Sequence, residues 1–184
     1  MEDVLCNLCG AADAQILYPG TLLEAEADSL ELFRCTSSSY GKHPPIVRCR
    51  RCGLIYITPR LEEREILHNY EMAVDQTYLE EREGRVLTFR RNLQPLTKLI
   101  PTPGDCRLLD VGCHIGVFLE IAREQGWEVW GVEPSSWAAE QARARGLMVT
   151  TGTLKEARFP SDFFDVVTMW DVIEHLTDPL VASQ

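Results

Sequence analysis

The sequence predicts an α/β protein in which a partial parallel sheet follows a small cysteine-rich β module and a charged helical segment. Two Cys-x-x-Cys-Gly pairs lie near the start, and a charged stretch with a helical pattern runs from residue 61 to 100. From residue 107 onward, short apolar runs alternate with helical patterns, which is typical of a parallel sheet covered by helices. We therefore divide the chain into residues 1–60, 61–100 and 101–184.

The composition limits the classes of partner. The 184 residues carry a formal net charge of -10, which disfavours nucleic acid because phosphate contacts require a surplus of Lys and Arg. No apolar run is long enough to span a bilayer, and the start, MEDVLCNLC, lacks the apolar core of a signal peptide. We expect a cytoplasmic protein without a membrane partner.

Residues 1–60 contain a candidate metal site. Each Cys-x-x-Cys pair is followed by a glycine, and the four cysteines are Cys6, Cys9, Cys49 and Cys52. Two pairs of thiolates can complete a tetrahedral Zn²⁺ shell, and four sulfur ligands leave no position for water or substrate. The pattern therefore predicts a structural zinc. The alternative is that the four cysteines are structural and bind no metal. Cys35, between the two pairs, is either an alternative ligand or a small buried hydrophobic residue.

The segment that follows is predicted to be mostly helical. Residues 54–57 form a short apolar strand that Thr58-Pro59 ends. Residues 62–70 and 79–93 show helical patterns, and Pro95 marks a kink or a break. Residues 101–104, Pro-Thr-Pro-Gly, mark the entry to the sheet.

The central unit of the sequence is a strand, a glycine turn, a helix and a second strand. A buried strand ends at Asp110, and the turn contains Gly112 and Gly116. Residues 117–125 form a helix that Gly126 ends, and the next strand, 129–132, ends at Glu133. Each of the two strands therefore ends in a carboxylate at the edge of the sheet where ligands bind.

These carboxylates indicate the ligand. An acid about 20 residues beyond the turn suits a ribose diol, which also fits NAD. However, the G-x-G-x-x-G fingerprint is absent, and Asp110 at the mouth of a pyrophosphate site would repel phosphates. Beside an ammonium and a sulfonium the same carboxylate is favourable, so S-adenosylmethionine is the better ligand.

The remaining elements complete four strands. A serine after Pro134 caps a helix over residues 137–145, and residues 147–149 form the third strand. Residues 163–169 form the fourth strand, which leads to Asp171, and Asp178 caps a further helix. Because the first and fourth strands are neighbours at the switch point, Asp110 and Asp171 should converge on one crevice.

These residues resemble the class I S-adenosylmethionine-dependent methyltransferases. The first motif of that family, D-x-G-x-G-x-G, stands here as Asp110, Gly112, His114 and Gly116, with a histidine at the middle glycine. This departure demands a His114 side chain that points away from the cofactor. The resemblance implies a Rossmann-like fold with seven strands, of which strands 1–4 are found. The cofactor-binding residues it implies, with the backbone of Cys113 in the turn, are Asp110, Gly112, Cys113, Gly116, Glu133, Thr153, Leu154 and Asp171.

The resemblance also implies a candidate base. Glu174-His175 is similar to the Glu-His dipeptide that follows the fourth strand in many small-molecule methyltransferases. A histidine beside a carboxylate can take a proton from an acceptor atom; alternatively, His175 orders the cofactor lid. Tyr70 or Tyr78 contacts the methionine end of the cofactor or the substrate or, alternatively, packs at a domain junction.

The predicted function is methyl transfer to a small-molecule acceptor such as a sugar, a nucleotide-sugar or a secondary metabolite, with zinc in a structural role. One alternative is an RNA methyltransferase whose zinc module binds RNA. The other is a non-catalytic zinc scaffold. The other three strands are expected to lie outside this sequence, so we expect weak cofactor binding and poor turnover. The exposed edge of the fourth strand predicts a homodimer through that edge.

Overall fold

The computed structural model describes residues 1–23, 26, 29–99 and 106–182. The chain forms two compact units. One consists of Met1–Tyr70 with Leu176–Gln184, and the other of Glu71–His175. The three-part division at residues 60 and 100 stays a prediction, and the predicted entry segment 101–104 lies outside the described residues.

The first unit contains a three-stranded antiparallel sheet. The strands are β1 (Ala14–Tyr18), β2 (Ile46–Cys49) and β3 (Ile55–Ile57), in the order β1-β2-β3. The predicted strand at 54–57 is therefore confirmed. A 3-10 helix, Leu30–Phe33, lies between β1 and β2, and a short helix, Pro179–Ala182, closes the described chain. As predicted, Asp178 caps this last helix by accepting a hydrogen bond from the amide of Leu180, at 3.2 Å.

In the part of the chain that the structure describes, three α-helices lie between β3 and the parallel sheet. They are α1 (Glu63–Met72), α2 (Gln76–Glu80) and α3 (Arg82–Leu96). The single helix expected over residues 79–93 is thus wrong in its bounds, because Asp75 begins a short helix by accepting a hydrogen bond from the Tyr78 amide at 3.0 Å. Pro95 lies inside the last turn of α3 and does not end the helix early.

The second unit contains the predicted parallel sheet. Its strands are β4 (Arg107–Val111), β5 (Glu128–Glu133), β6 (Met148–Thr151) and β7 (Val166–Met169). The order is β6-β5-β4-β7, and every neighbouring pair is parallel. The intervening helices are α4 (Val117–Glu124), α5 (Ser136–Arg143) and α6 (Leu154–Ala157). Within the described residues β7 is an edge strand, as the sequence predicts.

The last strand is shorter than predicted. Strand β7 begins at Val166 instead of residue 163. Phe163 and Phe164 instead pack edge-to-face with one another, with ring centroids 4.9 Å apart, and both contact the Trp130 ring. Aromatic side chains favour such edge-to-face contacts, so this pair forms an aromatic cluster before the strand begins.

Two apolar layers cover the sheet. On one side, α4 and α5 bury Phe118, Leu119 and three alanines of α5 against Leu108. A smaller cluster of Leu109, Val111 and Val132 lies apart from the first. Burial of each large apolar side chain contributes about 1.5–3 kcal/mol, so these layers hold the carboxyl ends of β4 and β5 in place. Within the described residues, no helix combines the length and apolar character needed to cross a membrane.

Candidate cofactor site and metal centre

Strands β4 and β5 bring two acidic side chains to the same edge of the sheet. Asp110 and Glu133 are only 3% and 6% exposed. The parallel register pairs Val111 of β4 with Val132 of β5. Asp110 directly precedes Val111 and Glu133 directly follows Val132, so the two acids lie on neighbouring strands. Two carboxylates that are withdrawn from water carry an unfavourable free energy unless a cation or hydrogen-bond donors face them.

Asp110 is held by one side-chain hydrogen bond. The Thr168 hydroxyl on β7 donates to Asp110 Oδ1 at 2.7 Å. Burial raises the pKa of Asp110 to about 7; the Thr168 hydrogen bond opposes this rise, and the charge of Glu133 adds to it. The position of Thr168 was not predicted, because only the strand pairing of β4 with β7 brings it to Asp110.

Glu133 is held by two backbone amides. The amide of His114 donates to Oε2 at 2.8 Å, and the amide of Ser135 donates to Oε1 at 2.9 Å. Burial raises the pKa of Glu133 to about 7, although both amides lower it. The carboxylate is therefore fixed in orientation, and each oxygen keeps a lone pair for a further donor.

The turn after β4 has the tight backbone that its glycines predict. Gly112 (φ 71°) and Gly116 (φ 79°) adopt left-handed conformations. A Cβ on Gly112 would lie 2.5 Å from Val172 Cγ2, so a larger residue would clash there. The amides of Gly112 and Cys113 both donate to the Val132 carbonyl. The Cys113 side chain is buried, and burial raises its pKa well above the usual value.

His114 replaces a glycine without leaving the left-handed region. Its φ is 49°, and its ring packs against the Tyr78 ring, with the centroids 3.8 Å apart and the planes tilted by 41°. Burial lowers the pKa of His114 to about 4, opposed by the charge of Asp75 and assisted by that of Arg85. The imidazole is therefore neutral at physiological pH and packs against α2.

A cavity of about 600 Å³ opens at the carboxyl ends of β5 and β6. Its lining includes Met72, Pro134, Trp137, Thr151 and Gly152. Neither Glu133 nor Asp110 is among the residues that line this cavity, although Pro134, the neighbour of Glu133 in sequence, is one of them.

The two predicted residues after β6 have clear structural roles. The Thr153 hydroxyl accepts from the Glu156 amide at 3.4 Å, and the Glu156 carboxylate accepts from the Thr153 amide at 2.8 Å. This is a capping box, and the Thr-x-x-Glu spacing is a local sequence signal that could have predicted the start of α6. Leu154 packs on the cluster of Leu109, Val111 and Val132.

The residues after β7 lie at the surface. Asp171 (φ 52°) is exposed, as are Glu174 and His175 in a 3-10 helix, Ile173–His175. The pairing of β4 with β7 puts Asp171 at the same edge of the sheet as Asp110. The structure thus places Asp110 in the interior and the candidate base at the solvent boundary.

The four predicted metal ligands converge in the first unit. The sulfur atoms of Cys6, Cys9, Cys49 and Cys52 all lie within 4.8 Å of one another. The Sγ–Sγ distances are 3.4 Å between Cys6 and Cys52 and 3.6 Å between Cys9 and Cys49. These distances exceed a disulfide bond of about 2.05 Å and approach the value of about 3.8 Å expected for tetrahedral Zn²⁺ with Zn–S bonds of about 2.3 Å.

Backbone amides favour the thiolate forms of Cys9, Cys49 and Cys52, although burial and the neighbouring sulfurs leave the pKa values of Cys9 and Cys52 raised. Gly10 (φ 68°) and Gly53 (φ 83°) allow the chain to turn after each pair. The Cys52 amide, with that of Arg51, lowers the pKa of Cys49 to about 6, against the effect of burial. Four sulfurs, three of which accept hydrogen bonds from backbone donors, form a donor set that fits a closed zinc shell. Cys35 lies outside this group of four, and because it is exposed, its prediction as a small buried hydrophobe is wrong.

The fold and the turn together identify the class of protein. Residues 78–183 match a methyltransferase domain family. The chain belongs to this family, and its four parallel strands are those of a class I S-adenosylmethionine-dependent methyltransferase.

Similar curated proteins include several named as ubiquinone biosynthesis O-methyltransferases. The ubiquinone biosynthesis O-methyltransferase of Rhodopseudomonas palustris (strain BisA53) is 32% identical over 102 residues, which cover 53% of this chain and 39% of that protein. The protein of the same name from Bradyrhizobium sp. (strain ORS 278) is 34% identical over 107 residues, covering 55% and 40%. The chain therefore spans about two fifths of the length of these relatives.

Solved structures of methyltransferases match about half of this chain. A SAM-dependent methyltransferase from Archaeoglobus fulgidus matches with a TM-score of 0.45 and 28% identity, over 55% of this chain and 47% of that one. The magnesium protoporphyrin IX methyltransferase of Synechocystis PCC 6803, solved with bound SAM, matches with a TM-score of 0.43 and 22% identity, over 50% and 47%.

Proposed function

We propose that this protein transfers a methyl group from S-adenosylmethionine to a hydroxyl group of a small molecule. The observation that carries the proposal is the pair of buried carboxylates, Asp110 and Glu133, at the carboxyl ends of adjacent parallel strands. Burial raises the pKa of both groups, so a ligand with a positive charge and hydroxyl donors would stabilise their ionised forms.

Each part of the site has a role in binding. Glu133 accepts hydrogen bonds from the ribose hydroxyls, because two amides hold its oxygens in fixed positions. Asp110 stabilises the cationic end of the ligand by Coulomb attraction, which is strong in a site of low dielectric. Gly112, Gly116 and the Cys113 backbone allow close approach, and Thr153, Leu154 and Asp171 complete the set at the neighbouring strand ends.

The bound cofactor supplies an activated methyl group on a positively charged sulfur. The chain contributes alignment of the acceptor and exclusion of water. We assign His175 the role of base, assisted by Glu174, because an acceptor hydroxyl loses its proton when it is methylated. The relatives named as O-methyltransferases support an oxygen acceptor.

The choice of cofactor is tested by calorimetry. We expect the protein to bind S-adenosylmethionine and S-adenosylhomocysteine and not NAD⁺. Glu133→Ala should weaken binding at least tenfold because it removes the acceptor for the ribose, whereas Glu124→Ala, at the exposed end of α4, should leave the affinity unchanged. Tight binding of NAD⁺, or equal affinity of the two variants, would refute the proposal.

The acceptor is tested by transfer of a labelled methyl group. We expect incorporation into one member of a panel of catechols, sugars and nucleotide-sugars, and a loss of turnover without a loss of cofactor affinity in His175→Ala. Transfer to RNA instead, with an affinity that falls steeply as salt rises, would establish the nucleic-acid alternative. Cofactor binding without transfer to any acceptor would favour the scaffold.

We also propose that Cys6, Cys9, Cys49 and Cys52 bind one structural Zn²⁺. The mutual proximity of the four sulfurs supports this assignment. A zinc ion would stabilise this unit because its described strands are short and its core is small. Elemental analysis should find about one zinc per chain, retained in Cys35→Ser and lost in Cys49→Ser. Equal metal content in both variants would contradict the assignment.

A further inference from the structure

Two residues hold both the Glu133 carboxylate and the segment that contains α2. The amides of His114 and Ser135 donate to the two oxygens of Glu133, at 2.8 and 2.9 Å. The side chains of the same two residues contact the α2 segment. The Ser135 hydroxyl donates to the Ala73 carbonyl at 2.8 Å, and the His114 ring packs against the Tyr78 ring with the centroids 3.8 Å apart. A displacement of the segment therefore disturbs both donors to Glu133.

Tyr78 lies between a cationic group and an aromatic ring. The guanidinium carbon of Arg85 is 3.6 Å from the Tyr78 ring centroid, and the His114 ring centroid is 3.8 Å from it. Two groups at these distances cannot share one face of a ring, so they contact opposite faces of the tyrosine, and the imidazole plane is tilted by 41° to the Tyr78 ring. Its amide is also tied to Asp75 at 3.0 Å. Tyr78 is 7% exposed, so the stack fixes the position of α2.

A histidine at position 114 destabilises the fold in two ways, which its contact with Tyr78 must offset. The residue stands in a left-handed conformation that glycine adopts more easily. Its Nδ1 atom is buried and has no hydrogen-bond partner within the described residues. A glycine at this position would remove both the backbone strain and the unpaired buried nitrogen, but it would also remove the contact with Tyr78.

We propose that His114 is a positioning residue that couples closure of the segment 73–80 to the orientation of the Glu133 carboxylate. Cofactor that binds at Glu133 favours the closed segment, and the closed segment favours cofactor binding. The imidazole acts through Tyr78 and through its own amide, and it takes no part in methyl transfer. This inference rests on the proposed cofactor and assigns the mechanism by which the site retains it.

The test compares three variants by hydrogen exchange and by the dissociation rate of S-adenosylmethionine. His114→Asn removes the ring and keeps a residue that tolerates the left-handed backbone, and Tyr78→Leu removes the stack from the other side. We expect each variant to exchange the amides of residues 76–80 at least tenfold faster without ligand and to release the cofactor about tenfold faster. The double variant should be no worse than either single variant, because both remove the same contact.

The matched control is Arg90→Ala on the exposed side of α3, where Arg90 pairs with Glu124. It should change neither rate. Unchanged exchange or release in His114→Asn, or additive effects in the double variant, would overturn the coupling while leaving the proposed function intact. Failure of the unaltered protein to bind S-adenosylmethionine would instead refute the proposed function, and this inference with it.

Discussion

Replacement of Asp110 by asparagine should stabilise the protein at alkaline pH. The folded protein raises the pKa of Asp110 from 3.8 to about 7. Since the folded pKa lies above the unfolded one, the folded state binds the proton more tightly. Stability therefore falls as pH rises from about 4 and is lowest above pH 7. Asparagine carries no charge and does not impose this cost.

The pH dependence gives the magnitude. Each pKa unit corresponds to about 1.36 kcal/mol, so ionisation of Asp110 costs up to about 4 kcal/mol at pH 8. The new amide loses about 1–3 kcal/mol if its N–H groups find no acceptor, but this loss does not depend on pH. The stability of Asp110→Asn relative to the unaltered protein should therefore increase by about 3 kcal/mol between pH 5 and pH 8.

Urea denaturation at these two pH values measures the difference. All four tryptophans lie between residues 127 and 170, so their fluorescence follows the unit that contains Asp110. Asp165→Asn is the control, because the Arg107 amide lowers the pKa of Asp165 below 3.8 and its ionisation is nearly complete at pH 5. That variant should show nearly the same stability difference at both pH values. If the stability difference for Asp110→Asn is also the same at pH 5 and pH 8, the raised pKa of the buried Asp110 carboxyl is refuted.

Three further outcomes follow from the geometry. The affinity for S-adenosylmethionine should rise about tenfold from pH 6 to pH 8 as a carboxylate with a pKa of about 7 ionises, and calorimetry should find a smaller rise for S-adenosylhomocysteine, which lacks the sulfonium. Gly131→Ala should cost about 1–3 kcal/mol in urea unfolding, because its Cβ would lie 2.5 Å from Cys113 Sγ; an unchanged midpoint would show that the site relaxes. Thr153→Ala should cost about 1 kcal/mol and leave zinc content unchanged; a stability loss below about 0.3 kcal/mol would argue against the capping box.

The sequence predicted the parts of the fold that depend on local pattern. The apolar runs at Leu108-Leu109 and Val129 and the glycines after them defined β4, the turn and β5, because strand period and turn chemistry are local properties. The spacing of the cysteine pairs likewise predicted that four sulfurs would meet. These features require no knowledge of which distant residues pack together.

Most of the parts that failed or were missed depend on tertiary contacts. Phe163 and Phe164 looked like strand residues, but their packing with Trp130 delays the start of β7. The helix expected over 79–93 is divided at Glu81 between α2 and α3, and the local cap at Asp75 that begins α2 was overlooked. The contacts of Thr168 with Asp110 and of His114 with Tyr78 join residues 58 and 36 positions apart, and no local pattern encodes them.

The cysteine-bearing unit is built from two separate parts of the chain, Met1–Tyr70 and Leu176–Gln184, and this affects how a fragment of it should be designed. Asn7 and Arg60 both donate to the Thr177 carbonyl, at 2.6 and 3.1 Å, so the final described segment supplies an acceptor to side chains encoded far upstream. Expression of residues 1–70 alone would leave these donors without that acceptor, and excision of the same residues would strip the segment after residue 175 of its partners. A metal-binding fragment should therefore be made as a fusion that joins both pieces with a short linker in place of residues 71–175.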